Sequence, residues 1–341
     1  MNGYQRIEAA LGGEMPDRAP VMLHNFMMAA AEAGITMGQY REDPEAICRA
    51  MAQAVETYDY DGVVVDVDTA TLAGALGVPV DLPEHLPARC SGAGIRDLAE
   101  VVDLPVPEIA KDGRVQVWLE AVRLLRRHFG DEIYVRGNCD QAPFSLASAV
   151  RGLDGWLLDL TDEDRRPQAE ALLAYCAEAG KQFIRLMAGA GAHMVSNGDS
   201  PAGPDLISPA MYREFALPWE RALAGEARAA GLPWLLHICG KTDRILTAMA
   251  ESGAEAFELD YKTDARLARE TFEGRAAFVG NIDPSGVLAL GTPALVEEKT
   301  RELLGVFEGC PRFILNAGCA IPAGTPPENL KAMVRTARVC G

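Results

Sequence analysis

The sequence predicts a single (β/α)₈ barrel, and three features of the chain support this fold class. Short apolar runs rich in β-branched residues recur from one end of the chain to the other, and most are followed by a segment of helical composition. Strands that alternate with helices require crossover connections, which produce a parallel sheet. Eight such units suit a closed barrel, and a length of 341 residues is within its usual range. A doubly wound open sheet is the alternative.

Eight apolar runs are the predicted strands, and most of them end in polar or small residues. They are residues 20–24, 62–68, 132–138, 192–199, 233–240, 255–261, 276–283 and 313–319. The segments between them are rich in Ala, Leu, Glu and Arg, which favour helices. The clearest predicted helices are residues 113–129, 166–186, 208–230 and 292–307.

The spacer before the third predicted strand is long and contains several prolines, among them Pro79, Pro87 and Pro105. Proline lacks a backbone donor and interrupts both helices and central strands. We therefore expect residues 78–108 to form an irregular excursion within one domain that spans residues 1–341.

Composition and charge exclude several classes of function. Hydrophobic residues make up 49% of the chain and charged residues 24%, as in globular proteins with a large core. The formal charge of −17 argues against binding to nucleic acid or to an anionic membrane, because both attract basic surfaces.

The first residues lack the charged and then apolar plan of a signal peptide, so we expect a cytoplasmic protein. The eight cysteines include no CxxC pair, which argues against a zinc ribbon, and their spread is unlike a disulfide framework. Most of them are expected to be reduced and buried, in particular Cys48, Cys90, Cys176, Cys310 and Cys340.

Polar residues are concentrated at the carboxyl ends of the predicted strands, where barrel enzymes carry their chemistry. They are His24, Asn25, Asp66, Asp68, Asn138, Cys139, Asp199, His237, Cys239, Glu258, Asp260, Asn281, Asp283, Asn316 and Cys319.

The sharpest local feature is the sequence HICG at the end of the fifth predicted strand. Side chains alternate across a strand, so His237 and Cys239 point to one face and Ile238 points to the other. An imidazole and a thiolate on one face supply half of a mixed nitrogen and sulfur site, for which Zn²⁺ is the usual metal. The same pattern would also arise from two buried core residues.

A third ligand is needed, and Cys319 is the cysteine best placed to supply it. It lies at the end of the eighth predicted strand, in the sequence NAGC, among small residues. His237, Cys239 and Cys319 would form a Cys₂His set, which leaves one coordination position open for a substrate.

Several blocks along the chain together resemble the uroporphyrinogen decarboxylase superfamily, and within it the methylcobamide:coenzyme M methyltransferase branch. In chain order they are PDRAPV, APFSLAS, GDSPAGPDLISPAMYREFALP, HICGKTDRIL, VGNIDP and NAGCAIPAGTPPENLKAM. The resemblance spans nearly the whole chain. It implies a (β/α)₈ barrel, a zinc ion held by His237, Cys239 and Cys319, and a methylated corrinoid, delivered by a carrier protein, as methyl donor.

Two differences from the sequence patterns of the superfamily bear on which of its branches the chain resembles. A decarboxylase of the parent family would carry an arginine-rich segment after the first strand to bind the carboxylates of its porphyrinogen, whereas this chain reads HNFMMA at residues 24–29. The glutamate that a methyltransferase would carry before Ala-Leu-Gly is also missing, since Gly74 stands there. The second departure concerns the substrate pocket and leaves the predicted metal set unchanged.

The predicted reaction is methyl transfer to a thiol, with coenzyme M and homocysteine as candidate acceptors. A free thiol is mostly protonated at pH 7, and coordination to zinc deprotonates it. Glu258, Asp199 and Asp260 are candidates for a fourth ligand or for orienting His237, although each would equally suit a structural role.

The expected contacts to the corrinoid rest on the resemblance. Asn138 and Gln141 are candidates to line its approach, with Cys139 between them, and Asn281 and Asp283 are further candidates. Asp283 precedes a proline and would equally cap the next helix.

Three other functions remain open at this stage. A methyl-corrinoid:tetrahydrofolate methyltransferase would keep the barrel and the donor but would need no zinc-bound thiol. A uroporphyrinogen-type decarboxylase is disfavoured by the missing arginine segment. A zinc or corrinoid binding module without catalytic activity would need no acceptor site.

Overall fold

The computed structural model of the protein describes residues 1–340, and its centre is a parallel barrel. Ten strands are present: β1 (Met22–Leu23), β2 (Gly62–Val65), β3 (Val80–Asp81), β4 (Arg89–Cys90), β5 (Tyr134–Gln141), β6 (Met194–Gly198), β7 (Trp234–Ile238), β8 (Ala256–Leu259), β9 (Ala277–Ile282) and β10 (Phe313–Ala317). Eight of them form one sheet in the order β1-β2-β5-β6-β7-β8-β9-β10. A parallel bridge between Val21 and Leu315 joins its two ends. The closed barrel is confirmed, and the open sheet is excluded.

The helices follow the barrel strands and pack on the outside of the sheet, except α1, which precedes the first strand. They are α1 (Gly3–Gly12), α2 (Phe26–Glu32), α3 (Met37–Glu42), α4 (Pro44–Tyr58), α5 (Thr71–Ala75), α6 (Gly113–Phe129), α7 (Pro143–Arg151), α8 (Leu153–Asp159), α9 (Arg166–Ala190), α10 (Pro209–Met211), α11 (Leu217–Ala229), α12 (Leu246–Met249), α13 (Ala265–Phe272), α14 (Pro293–Val306) and α15 (Pro327–Cys340). No helix formed by residues 1–340 combines the length and the apolar character that a membrane crossing requires.

The predicted helix over residues 208–230 is interrupted. A π-helical turn, Tyr212–Ala216, separates α10 from α11. Pro218 lies at the start of α11 and has no backbone N–H, so the regular pattern of helical hydrogen bonds cannot continue through it.

Apolar side chains fill the lower part of the barrel. Met22, Val64, Tyr134 and Leu235 point inward and form a cluster with Ile7 of α1, which closes the bottom of the barrel. Outward-facing residues of the same strands pack against the helices in a second, larger cluster. The filled interior leaves space only at the upper end, where the strands terminate.

The segment of residues 78–108 contains the antiparallel ribbon of β3 and β4 and a 3₁₀-helix, Leu98–Asp103. The buried Arg41 holds the loop between the two ribbon strands, because its guanidinium donates hydrogen bonds to the carbonyl oxygens of Pro83 and Leu86. Pro87 follows and reaches the cavity at the upper end of the barrel.

Candidate metal centre

A cavity of about 270 Å³ opens at the carboxyl ends of the barrel strands. His237, Cys239 and Cys319 lie in its wall, together with Glu258 and Arg136. This is the end of the barrel where the sequence predicted the chemistry to lie.

The three predicted metal ligands form a compact cluster. Nε2 of His237 lies 2.9 Å from Sγ of Cys239 and 3.9 Å from Sγ of Cys319, and the two sulfur atoms are 3.6 Å apart. Among residues 1–340, this is the one group of three His, Cys, Asp or Glu side chains whose ligand atoms all lie within 4.8 Å of one another. Two sulfur donors and one imidazole nitrogen at these separations fit a zinc ion.

Strand alternation and barrel closure create this cluster. Leu236 and Ile238 of β7 pack outward against the helices, which leaves His237 and Cys239 on the inner face as predicted. Cys319 arrives from the loop after β10, three positions away from β7 in the sheet order, so it meets Cys239 across the barrel mouth.

Backbone contacts hold the two cysteine loops in place. The backbone N–H of Cys239 donates to Oγ of Ser200 at 3.1 Å, and that of Gly240 donates to the Asp260 carboxylate at 2.9 Å. Gly318 passes so close to the next loop that a Cβ there would lie 2.6 Å from the backbone nitrogen of Tyr261. Asp260 therefore supports the loop after Cys239, and only glycine fits before Cys319.

The thiols share one negative charge. A hydrogen bond from the Cys319 thiol and the neighbouring His237 lower the pKa of Cys239 to about 3, although burial opposes this. The pKa of Cys319 is raised, first by its hydrogen bond to Cys239 and then by burial. Burial alone would lower the pKa of His237, but the Cys239 thiolate raises it. The cluster is thus prepared to bind a cation in place of its protons.

Glu258 orients the ring of His237. Nδ1 of His237 lies 3.1 Å from the backbone carbonyl oxygen of Glu258 and 3.3 Å from its carboxylate. A proton on Nδ1 is donated to the backbone oxygen, beside the carboxylate, which leaves Nε2 free to act as a ligand.

Glu258 is fully buried and is shared by three side chains from different strands. Its other carboxylate oxygen pairs with Arg136 of β5, and its first oxygen lies 3.4 Å from Nδ1 of His24, which follows β1. Burial alone would raise the pKa of Glu258, but Arg136 and then His24 hold it below its ordinary value. Glu258 therefore stays ionised beside the metal cluster.

His24 completes the network on the opposite side. Its Nε2 lies 2.6 Å from the Asp66 carboxylate. Burial favours the neutral ring, but hydrogen bonds to Asp66 and Glu258 raise the pKa of His24 to about 9. At neutral pH a charged histidine thus bridges two carboxylates in the cavity wall.

The roles of Arg136 and His24 are not predictable from the sequence patterns considered above. His24 was only one of many polar residues at strand ends, and Arg136 lies inside the third predicted strand. A signal was available for Arg136, because Tyr134, Arg136 and Asn138 alternate on the inward face and a buried arginine there requires an acidic partner.

Two of the residues predicted for the corrinoid approach lie in the cavity wall. Asn138 and Gln141 both line it, and Oδ1 of Asn138 accepts a hydrogen bond from Ser196 at 3.3 Å. The intervening Cys139 is fully buried in the core, on the other face of β5.

Asp199 is not brought to the cluster. Its carboxylate is fully buried and accepts hydrogen bonds from the backbone N–H and the hydroxyl of Ser145, at 2.8 and 2.6 Å. Burial raises the pKa of Asp199 to about 6, and burial and then Asp199 raise the pKa of the neighbouring Glu220. A role for Asp199 as fourth ligand does not match this placement, because its side chain turns away from the cavity into the core.

Asn281 and Asp283 also lie outside the cavity. The side-chain amide of Asn281 donates to the backbone oxygens of Asp260 and Thr263. The Asp283 carboxylate accepts from the N–H groups of Ser285 and Gly286, both at 2.9 Å, so it caps the turn that begins at Pro284. Their polar atoms serve loop structure, and the predicted contact with the corrinoid does not match this arrangement.

Known proteins resemble this chain over nearly its whole length. Residues 3–339 match the model of the uroporphyrinogen decarboxylase (URO-D) family. The methylcobamide:CoM methyltransferase MtbA of Methanosarcina mazei is 30% identical over 343 residues, which cover 98% of this chain and 97% of that protein. A uroporphyrinogen decarboxylase of Syntrophotalea carbinolica is 29% identical over 344 residues, covering 97% and 96%.

The same likeness is found among solved structures. A methyltransferase from Methanosarcina mazei superimposes with a TM-score of 0.89 at 25% sequence identity, and the match covers 99% of this chain and 98% of that one. Fold, family model and full-length relatives agree, as the resemblance in the sequence implied. The chain belongs to the uroporphyrinogen decarboxylase (URO-D) family.

Proposed function

We propose that this protein is a zinc-dependent methyltransferase that moves a methyl group from a methyl-Co(III) corrinoid, carried by a partner protein, to a small thiol. The observation that carries the proposal is the Cys₂His cluster of His237, Cys239 and Cys319 in the wall of a cavity at the barrel mouth. The full-length likeness to a methylcobamide:CoM methyltransferase supports it.

His237 would hold the ion through Nε2, and Cys239 and Cys319 through their sulfur atoms. Zinc, when bound, would deprotonate an incoming thiol at neutral pH while leaving it nucleophilic. Three protein ligands leave one position for that thiol. Two thiolate ligands favour delivery of a bound thiolate over activation of water, because they weaken the Lewis acidity of the site.

The protein groups around the cluster prepare the transfer. Glu258 keeps the His237 ring in one orientation, and the Arg136 ion pair keeps Glu258 ionised. Phe26 and Met27 supply an apolar part of the wall that limits the access of water. In the reaction the thiolate sulfur forms a bond to the methyl carbon, while the Co–C electron pair remains on cobalt, which leaves as Co(I).

Decarboxylation of a porphyrinogen is the second candidate function, because a uroporphyrinogen decarboxylase matches this chain at a sequence identity similar to that of the methyltransferase. It would require cationic side chains for the carboxylates of the substrate. The segment after β1 forms α2, and it offers Phe26 and Met27 to the cavity instead of arginine. Methyl transfer to tetrahydrofolate is the third candidate function, and it would leave the open position of the Cys₂His cluster without a thiol to bind.

The test combines metal analysis with an acceptor screen. The purified protein is analysed for zinc and is then incubated with methylcobalamin and, in turn, coenzyme M, homocysteine and tetrahydrofolate. About one zinc per chain and a methylated thiol are expected. Methylation of the pterin by metal-free protein would replace the proposal with the folate reading, and release of CO₂ from a porphyrinogen would replace it with decarboxylation.

A further inference from the structure

The positive charges in the cavity wall are already neutralised by the protein. His24 lies 2.6 Å from Asp66, Arg136 pairs with Glu258, and His237 contacts Cys239 and Glu258. Among the cavity-lining residues of the described chain, these are the groups that can carry a positive charge. Each of these groups is therefore paired with an anion of the protein, which disfavours a sulfonate or carboxylate on the acceptor.

Besides Glu258, whose Oε1 has ion-pair neighbours but no hydrogen-bond partner, the same wall contains two carboxylates that are only partly satisfied. Asp68 and Asp140 line the cavity and are 2% and 1% exposed. One oxygen of Asp68 accepts the backbone N–H groups of Ala70 and Thr71, and one oxygen of Asp140 accepts that of Leu72. The second oxygens, Oδ2 of Asp68 and Oδ1 of Asp140, have no hydrogen-bond partner.

Buried carboxylate oxygens without partners are costly, so these two oxygens would be stabilised by a donor that a ligand brings into the cavity. Burial raises the pKa of both carboxyls, and Asp68 raises that of Asp140 further. Arg114 lowers the pKa of Asp68, but it has the weakest of the named influences and does not line the cavity. A bound cation would restore ionisation of the pair.

We propose that the methyl acceptor is an aminothiol, whose ammonium group binds Asp68 and Asp140 while its thiol enters the metal cluster. An ammonium group has three donors and can serve both unpartnered oxygens. This inference rests on the proposed function and narrows its substrate class. It sets this chain apart from an enzyme whose acceptor is coenzyme M, because that acceptor carries a sulfonate.

The first experiment compares three thiols that differ only at one end. Cysteamine, 2-mercaptoethanol and coenzyme M share the HS–CH₂–CH₂ unit and end in an ammonium, a hydroxyl and a sulfonate. With zinc-loaded protein and methylcobalamin, kcat/KM should be at least about tenfold higher for cysteamine than for coenzyme M, since one charge contact is commonly worth at least this factor. A preference for coenzyme M overturns the inference and leaves thiol methylation standing.

Asp68→Asn and Asp140→Asn separate recognition of the ammonium from the intrinsic reactivity of each thiol. Asparagine can still accept the backbone N–H groups, but it places an amide donor where a carboxylate oxygen was. The preference for cysteamine over 2-mercaptoethanol should fall about tenfold in either variant. Asp264→Asn is the matched control, because Asp264 caps α13 in the same way on the exposed surface. An unchanged preference in both cavity variants would refute the assignment.

Calorimetry of the zinc-loaded protein with S-methylcysteamine gives a readout that does not depend on turnover. Binding is expected, and it should weaken in Asp68→Asn and Asp140→Asn but not in Asp264→Asn. If no thiol is methylated, the proposed function fails. The titration would still show whether Asp68 and Asp140 bind an ammonium group. Absence of binding by the unsubstituted protein would overturn it.

Discussion

The Glu258 carboxylate lies 3.3 Å from Nδ1 of His237, on the side of the ring away from Cys239. The two residues are direct partners in the pairing of β7 with β8, so the sheet register itself places the carboxylate beside the imidazole. Both point into the barrel because both occupy inward positions of their strands. The orientation of a predicted metal ligand thus follows from strand pairing.

Glu258→Gln should destabilise the protein and weaken zinc binding. The amide would leave the buried Arg136 without a counter-charge, which commonly costs about 3–5 kcal/mol. The zinc dissociation constant should rise about 10–100-fold, because the ring of His237 loses its charged partner. Urea denaturation and competitive zinc titration measure the two effects. Glu255→Gln is the control, because Glu255 directly precedes β8 at the end opposite the cavity. Equal losses of stability and zinc affinity in the two variants would contradict the role of Glu258.

Replacement of each proposed ligand should remove the metal. His237→Ala, Cys239→Ala and Cys319→Ala are expected to contain little zinc and to lose thiol methylation, while circular dichroism shows an intact fold. Cys139→Ala is the matched control, because Cys139 is buried in the core outside the cluster. A ligand variant that retained one zinc per chain would show that the residue is not a ligand.

The pH dependence of stability should reveal the charged state of His24. Its pKa is raised to about 9 in the folded protein from an ordinary 6.5, so the folded state binds the proton more tightly. This stabilisation is complete below pH 6.5 and is lost as the pH rises through 9, by about 3 kcal/mol in total. Unfolding of chelator-treated protein over this range measures it. The His24→Gln variant should not show this loss of stability between pH 6.5 and 9. A loss of the same size in the variant would show that His24 is not its cause.

His193 should have the opposite effect, in a more acidic window. Burial, assisted by Arg126, lowers the pKa of His193 to about 4, while Val135 donates its backbone N–H to Nδ1 at 3.0 Å. The unfolded chain therefore binds the proton more readily, and stability should fall as the pH decreases from 6.5 to 4. We expect a loss of about 2 kcal/mol, since the nearby Asp131 is exposed and solvent screens the site. His193→Gln should show a smaller acid-dependent loss, and an identical profile would contradict the assignment.

Much of the fold was predictable because its signals are local. Seven of the eight apolar runs contain their barrel strand completely, and the eighth, residues 132–138, covers only the first part of β5 (Tyr134–Gln141). The predicted helix over residues 113–129 matches α6 in both bounds. Alternation along β7 sufficed to place His237 and Cys239 on one face. Hydrophobic periodicity is read over a few neighbouring residues, and a single sequence contains all of it.

Only the tertiary structure decided which polar residues meet. Glu258, Arg136 and His24 come from three different strands, and their ion pairs depend on barrel closure and register. Asp199 and Asn281 are also at strand ends, yet their side chains turn into the core and into a neighbouring loop. The sequence by itself determined the barrel and the candidate ligands, because strand periodicity is local. The partners of each buried charge are separated by tens to hundreds of residues, so packing in three dimensions selected them.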